Sequence, residues 1–74
     1  MALLKVIELL AESKKSWEDA TQNAVTEASK TIRNIRSVYV ENLTAEVNKG
    51  KITHWRINCK ISFEMDEKKV ANKD

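Results

Sequence analysis

The chain has 74 residues, of which 42% are hydrophobic and 32% are charged, a balance typical of one small globular domain. Its formal net charge of +2 is too small to indicate a nucleic-acid partner, and its single cysteine, Cys59, excludes a disulfide within the chain. A domain this small buries only about 60% of the surface of its unfolded chain, so we expect it to gain stability by forming an oligomer.

The N-terminal part of the chain predicts a strand and a short polar connection. Residues 1–13, MALLKVIELLAES, contain Lys5 and Glu8, and the run is too short and too charged for a secretion signal or a membrane segment. The aliphatic residues 3–10 predict the first strand, and residues 11–15 predict the connection. We therefore expect a cytoplasmic protein, without a membrane partner, in which Cys59 is a packed thiol.

A helix is predicted to begin after Ser16, whose side chain can cap it, with Asp19 three residues later in the first turn. Residues that recur at helical spacing predict its buried stripe: Trp17, Ala20, Ala24, Ala28, Thr31, Ile32 and Ile35. The alanines make this stripe thin, so the helix can lie close against a sheet. Lys30, Arg33 and Arg36 are expected at the helix C-terminus, where the helix dipole favours cations.

The second half of the chain predicts a hairpin of two long strands. Residues 37–48 form the first of them, and the turn at residues 48–51 carries the single glycine, Gly50, where a positive φ is expected. The next strand, over residues 51–66, alternates two rows. The apolar row is Thr53, Trp55, Ile57, Cys59, Ile61, Phe63 and Met65, and the polar row is Ile52, His54, Arg56, Asn58, Lys60, Ser62 and Glu64. Residues 67–74 are expected to be a disordered charged tail.

The predicted fold class is α+β, with a β-α-β-β order in a single domain over residues 1–66. The three strands form an antiparallel sheet, and the one helix covers one of its faces. A single helix cannot cover strands of this length, and proline or bulge signals do not protect the sheet edges. Uncovered surface and free edges both indicate contacts with neighbouring subunits.

The sequence does not predict an active site or a metal site. His54 and Cys59 lie on opposite faces of one strand, so they cannot act together as base and nucleophile. The residues near His54 do not supply a set of metal ligands, which favours an interface role for this histidine. We therefore expect a protein that is not an enzyme. Arg56 on the polar row is the residue to explain, because a guanidinium at a subunit contact must be paired or must touch a ligand.

Three runs of the sequence resemble the dodecins: KSWEDATQNAVTEASKTIRNIRSVYV, NKGKI and THWRINCKISFEM. The resemblance extends from Lys5 to about Glu64 with the same order of elements. It implies a cytoplasmic, non-enzymatic protein that assembles as a hollow sphere of twelve subunits, each a three-stranded antiparallel sheet partly wrapped around one helix. It also implies a pocket at two-fold contacts, where many dodecins bind and store flavins, FMN or riboflavin, in pairs.

The chain departs from the flavin-binding pattern at three positions. Ser37 stands where the resemblance implies a tryptophan that stacks on the flavin ring, and Arg56 stands where it implies a glutamine that bonds the ring edge. Asn42 replaces an acidic residue of the second strand. These three residues are the candidate ligand-binding positions. At a two-fold contact two Arg56 side chains approach each other, which favours an anion, ordered water or a carboxylate partner such as Glu41 or Glu46.

Three functions follow as alternatives. The first is a homo-dodecamer that binds and stores a small molecule at its subunit interfaces, flavin or a related flat ligand, with weakened or altered affinity. The second is a cage of the same fold without flavin, with a structural or ion-binding role. The third, an interaction module acting as a monomer or dimer, is separated from both by the mass of the particle in solution.

Overall fold

The computed structural model describes residues 3–65, and within them it contains one helix and three strands. The elements are β1 (Leu4–Ser13), α1 (Trp17–Ser29), β2 (Ile35–Asn48) and β3 (Lys51–Glu64). The strands form one antiparallel sheet in the order β1-β3-β2, with β3 at its centre. The predicted α+β class and β-α-β-β order are confirmed. The predicted tail over residues 67–74 lies outside the described residues.

The first strand is longer than predicted and continues through Ser13. Glu12 pairs with Arg56 and Ser13 pairs with Trp55, so the expected polar connection over residues 11–15 was wrong in its first half. Ser13 is buried, and its hydroxyl donates to Asp19 Oδ2 at 2.6 Å. A buried serine is tolerated here because a helix residue accepts its hydrogen bond. Because serine is polar, the sequence predicted Ser13 in the connection, although it lies in β1.

The helix begins where the sequence predicted. Ser16 Oγ accepts a hydrogen bond from Asp19 N at 2.9 Å and so satisfies a free N–H of the first turn. The three alanines of the predicted stripe are all buried: Ala20, Ala24 and Ala28. Trp17 differs, because it is 36% exposed and its indole N–H donates to the Thr44 carbonyl at 2.9 Å. It ties the helix start to β2 instead of filling the core.

The helix ends earlier than predicted, at Ser29. Asn34 adopts a φ of 64°, a left-handed conformation that asparagine tolerates better than most residues, and the chain enters β2 at Ile35. The expectation that Arg36 lies at the helix C-terminus was therefore wrong. Arg36 lies in β2, where its Nη1 donates to Glu64 Oε1 at 2.8 Å.

The hairpin turn is confirmed, and a bulge lies close to it. Lys49 and Gly50 both have positive φ, 53° and 79°, as a two-residue type I′ turn requires. Beyond Glu46 the register shifts by one residue, and Val47 pairs with Ile52. Because a one-residue shift exchanges the faces of a strand, Ile52 leaves the polar row to which the sequence assigned it. Two further shifts interrupt the ladder near residues 36 and 41.

The core lies between the helix and one face of β3. Ile57, Cys59 and Ile61 are fully buried and pack against the three alanines of the helix, as the apolar row predicted. Burial raises the pKa of the Cys59 thiol, which keeps it protonated. The alanines let the helix approach the sheet closely, but they also make this core small.

The opposite face of the sheet, named the outer face below, is not covered by the helix. It carries the residues of β3 that alternate with the core residues, from His54 to Glu64, and their neighbours on β1 and β2. Its β1 portion is open and carries three exposed apolar side chains, with Glu8 between the second and the third: Leu4 and Val6 are more than half exposed, and Leu10 is 72% exposed. The single chain therefore leaves a large apolar surface in contact with water.

Candidate functional site

The polar row of β3 is paired across the outer face. Ser62 Oγ lies 2.6 Å from Ser37 Oγ, and Asn58 Nδ2 donates to Asn42 Oδ1 at 3.3 Å. Both contacts join residues that lie opposite each other on β2 and β3. The alternation of apolar and polar residues in the sequence thus yields a face lined by cross-strand polar pairs.

The most numerous of these contacts surround Arg56, on the central strand β3 beside the end of β1. Its Nε and Nη2 atoms both donate to Glu12 Oε2, at 2.8 and 2.6 Å, and Nη2 also donates to Glu46 Oε2 at 2.9 Å. Glu46 Oε1 in turn lies 3.4 Å from His54 Nδ1. These four residues, Glu12, Glu46, His54 and Arg56, form the Arg56 cluster. It joins all three strands on the outer face.

The Arg56 cluster has an excess of negative charge. The hydrogen bond from Arg56 lowers the pKa of Glu12, and the hydrogen bonds to Glu12 and Glu46 raise the pKa of Arg56, so the ionised forms stabilise each other. Two carboxylates surround one guanidinium, which leaves one negative charge when His54 is neutral. The guanidinium is thus a donor already engaged by the protein's own carboxylates.

The three candidate ligand-binding residues share the outer face but do not converge within one chain. Ser37 pairs with Ser62, Asn42 pairs with Asn58, and Arg56 lies on β3 itself. Arg56 and Ser62 are six positions apart on one strand, a separation of roughly 20 Å. A single ligand that touches all three positions would therefore need more than one subunit.

The structure assigns the partner of Arg56, which the sequence left open. Glu46 contacts Arg56, whereas Glu41 instead lies near Lys60, with its Oε1 3.8 Å from the lysine Nζ. Glu12 was missed, because the predicted first strand ended before it. The signal was present in the alternation of LLAES, where an outward glutamate lies between Ala11 and Ser13.

An open cavity of about 350 Å³ lies beside the Arg56 cluster, where β1 ends and the helix begins. Its lining is Glu12, Ser13, Lys14, Lys15, Asp19, Asn23 and His54. Asp19 accepts the Ser13 hydroxyl there, and Asn23 Nδ2 donates to the Glu12 carbonyl at 3.3 Å. These polar groups of the cavity wall are therefore hydrogen-bonded to one another.

Within residues 3–65, no group of three or more His, Cys, Asp or Glu side chains is arranged to hold a metal ion. No helix in this part of the chain is long and apolar enough to cross a membrane. His54 and Cys59 lie on opposite faces of β3, as predicted, with Cys59 in the core and His54 in the Arg56 cluster.

The fold and the polar outer face define a small α+β protein with much uncovered sheet. The model of the Dodecin family matches residues 3–66, and the chain belongs to the dodecin family. Dodecins are small binding proteins, and their oligomers are cages. The resemblance drawn from the sequence is confirmed.

The individual relatives include a dodecin that is named for calcium. The chain is 39% identical over 66 residues to calcium dodecin of Mycobacterium tuberculosis, which covers 88% of this chain and 92% of the relative. The crystal structure of that protein, described as calcium chelating with a novel calcium-binding site, has a TM-score of 0.75 and 35% identity over 86% of this chain and 91% of its own. Dodecin from Streptomyces coelicolor has a TM-score of 0.84 and 28% identity, covering 88% and 93% of the two chains.

Proposed function

We propose that the protein is a cytoplasmic, non-enzymatic dodecin that assembles into a homo-dodecameric cage and binds a cation, rather than a flavin, between the outer faces of neighbouring subunits. The observation that carries this proposal is the Arg56 cluster. Its guanidinium is held by two carboxylates of its own chain, which leaves one negative charge on the cluster when His54 is neutral. A buried free thiol at Cys59 fits a reducing compartment.

Self-assembly is supported by the surface that the single chain leaves uncovered. Leu4, Val6 and Leu10 form an exposed apolar row along β1 on the outer face. Fully burying a side chain of this size contributes about 1.5–3 kcal/mol. The core of one subunit is small, because alanines supply the whole buried stripe of the helix. Contacts between outer faces would cover this row and bring the Arg56 clusters of different subunits together.

Ser37 and Arg56 weaken the binding of flavin, because they stand at the two positions where the family pattern implies a stacking tryptophan and a glutamine. Ser37 has no aromatic ring to stack on a flavin, and its hydroxyl is paired with Ser62. Arg56 cannot reproduce an amide, which both donates and accepts hydrogen bonds, because a guanidinium only donates. Its donors are moreover already directed at Glu12 and Glu46.

Binding of a cation is supported by charge and by one relative. The carboxylates near Arg56 outnumber its charge, and hard cations such as Ca²⁺ prefer carboxylate oxygens. A relative that is 39% identical is named calcium dodecin. Because one chain does not bring together enough ligands within residues 3–65, the site requires carboxylates from at least two subunits. At a two-fold contact Glu12 and Glu46 would each appear twice.

A weakened flavin site is the second candidate, and Tyr39 is the observation that favours it. Its side chain is 63% exposed and lies two residues from Ser37 on β2, opposite Lys60 of the outer face. A ring in this place can stack on a flat ligand that reaches across a subunit contact.

Two measurements test the proposed function. Light scattering should give a particle with about twelve times the mass of one chain, and a stably folded monomer at micromolar concentration contradicts the assembly. Isothermal titration of the metal-free assembly with CaCl₂ should show saturable binding, whereas riboflavin should bind weakly or not at all. Tight riboflavin binding without calcium binding would instead establish the second candidate.

A further inference from the structure

We propose that Glu12 and Glu46 are the specificity-determining residues of the outer face, and that they select against anionic ligands by neutralising and immobilising Arg56. The inference rests on the proposed function only in that the outer face meets a ligand at a subunit contact. Glu12 on β1 and Glu46 on β2 are the two carboxylates that neutralise Arg56, one on each strand beside β3.

The geometry holds the guanidinium from both sides. Glu12 on β1 accepts from Nε and Nη2, and Glu46 on β2 accepts from Nη2 as well. Charge-assisted contacts of 2.6–2.9 Å are short and directional, and they fix the plane of the guanidinium over the sheet. An anion that approached Arg56 would have to displace at least one of these carboxylates. It would also meet the remaining one.

The charge of the cluster decides the sign of the ligand it accepts. With both carboxylates the cluster has one negative charge when His54 is neutral, and without them it would have one positive charge. Arg56 would then be a free planar donor suited to phosphate or carboxylate. The removal of Glu12 and Glu46 should therefore convert a face that rejects anions into one that binds them.

FMN and riboflavin are matched probes, because they share the flavin ring and differ in the charged phosphate. We expect the Glu12→Gln, Glu46→Gln double variant to bind FMN in preference to riboflavin. The ratio of the two affinities should rise about tenfold over the wild type, and calcium binding should fall. The measurement is fluorescence quenching of each flavin by the assembled protein at low ionic strength, with the mass of each assembly checked by light scattering.

The Glu8→Gln, Glu41→Gln double variant is the matched control. It changes the net charge equally, but these carboxylates lie around Lys60, because Glu8 is opposite Lys60 on β1 and Glu41 lies 3.8 Å from it. An equal rise of the ratio in this control would show a general charge effect and overturn the proposal, as would an unchanged ratio in the Glu12, Glu46 variant. If the double variant does not assemble, the single Glu46→Gln variant should show a smaller rise in the ratio, and no rise overturns the proposal.

The outcomes separate this proposal from the proposed function. The absence of calcium binding by the wild type contradicts the proposed function, whatever the flavin ratios are. A change of the ratio specific to Glu12 and Glu46 supports the role of these residues, even in an assembly that does not bind calcium.

Discussion

Glu12 and Arg56 lie directly opposite each other on β1 and β3, and two nitrogens of the guanidinium donate to the same glutamate oxygen, at 2.8 and 2.6 Å. The pair joins residues that are 44 positions apart in the chain. It links the edge strand that carries the exposed apolar row to the central strand of the sheet. The stability of this edge and the charge of the outer face thus depend on the same contact.

This relationship predicts a dependence of stability on pH. The hydrogen bond from Arg56 lowers the pKa of Glu12 in the folded protein. A lowered folded-state pKa means that the carboxylate stabilises the fold above its unfolded pKa, and that this contribution is lost as the pH falls through the folded value. We expect the melting temperature of the wild type to fall more between pH 7 and pH 3 than that of a Glu12→Gln variant, as measured by circular dichroism.

Glu18→Gln is the control for this experiment, because Glu18 lies in the first turn of the helix, away from the Arg56 cluster. It should keep the steep acid dependence of the wild type. If Glu12→Gln keeps the same dependence, the hydrogen bond to Arg56 does not contribute to stability.

The helix contact with the sheet gives a second prediction. Ala24 and Ala28 are buried against the apolar face of β3, where a larger side chain has no space. Replacing either with leucine should lower the free energy of unfolding by about 1–3 kcal/mol through overpacking. Chemical denaturation measures this change, and Gln22→Leu on the exposed side of the helix serves as the control. Unchanged stability in both alanine variants would mean that the helix does not pack closely on the sheet.

The exposed apolar row on β1 gives a third prediction. Leu10 is 72% exposed in the single chain, and we expect it to be buried between subunits of the assembly. A Leu10→Glu variant would remove about 2 kcal/mol of apolar burial for each subunit and add a charge at the contact. Light scattering should show smaller particles than the wild type, whereas Gln22→Glu should leave the mass unchanged. A Leu10→Glu variant with full-sized particles contradicts a contact at this row.

Much of the fold could be predicted from the sequence because local chemistry determines it. The alternation over residues 54–64, the cap at Ser16 and the positive φ at Gly50 each depend on neighbouring residues, and the structure confirms all three, whereas the shift beyond Glu46 interrupts the predicted alternation at Ile52. The end of the helix could not be predicted, because helical spacing continues past the point where Asn34 turns the chain. The end of β1 was missed because Ser13 is buried through a tertiary hydrogen bond to Asp19.

The candidate site was harder to predict from the sequence than the fold, because its contacts depend on the register of the strands. Arg56 was identified first as a guanidinium on the polar row and then through its departure from the family pattern, and Glu46 was one of two carboxylates proposed as its partner. The register places Glu46 opposite His54 and diagonally from Arg56, and Glu41, at the shift between Val40 and Asn42, lies near Lys60. Glu12 requires the pairing of β1 with β3, which a single sequence does not specify.

The last prediction concerns the two positions at which the chain departs most from the flavin-binding pattern. Ser37 lacks an aromatic ring, and by analogy with bases that stack on aromatic side chains such a ring contributes about 1–3 kcal/mol. Its absence corresponds to flavin binding that is weaker by about ten- to a hundredfold. A Ser37→Trp, Arg56→Gln double variant should regain this affinity, because the tryptophan supplies a stacking surface and the glutamine can both donate to and accept from the ring edge. Riboflavin titration with fluorescence detection compares it with the wild type.

The control for this variant is Ser37→Leu, Arg56→Gln, which adds apolar volume at position 37 without an aromatic face. Both variants lose the Ser37–Ser62 contact and release Glu12 and Glu46 from Arg56, so they differ only in the side chain at position 37. We expect only the tryptophan variant to bind riboflavin more tightly than the wild type does. An equal gain in the leucine variant would assign the effect to apolar burial or to the loss of the guanidinium. Tight binding by the wild type, without a gain in the tryptophan variant, would show that these two positions do not control flavin recognition in this protein.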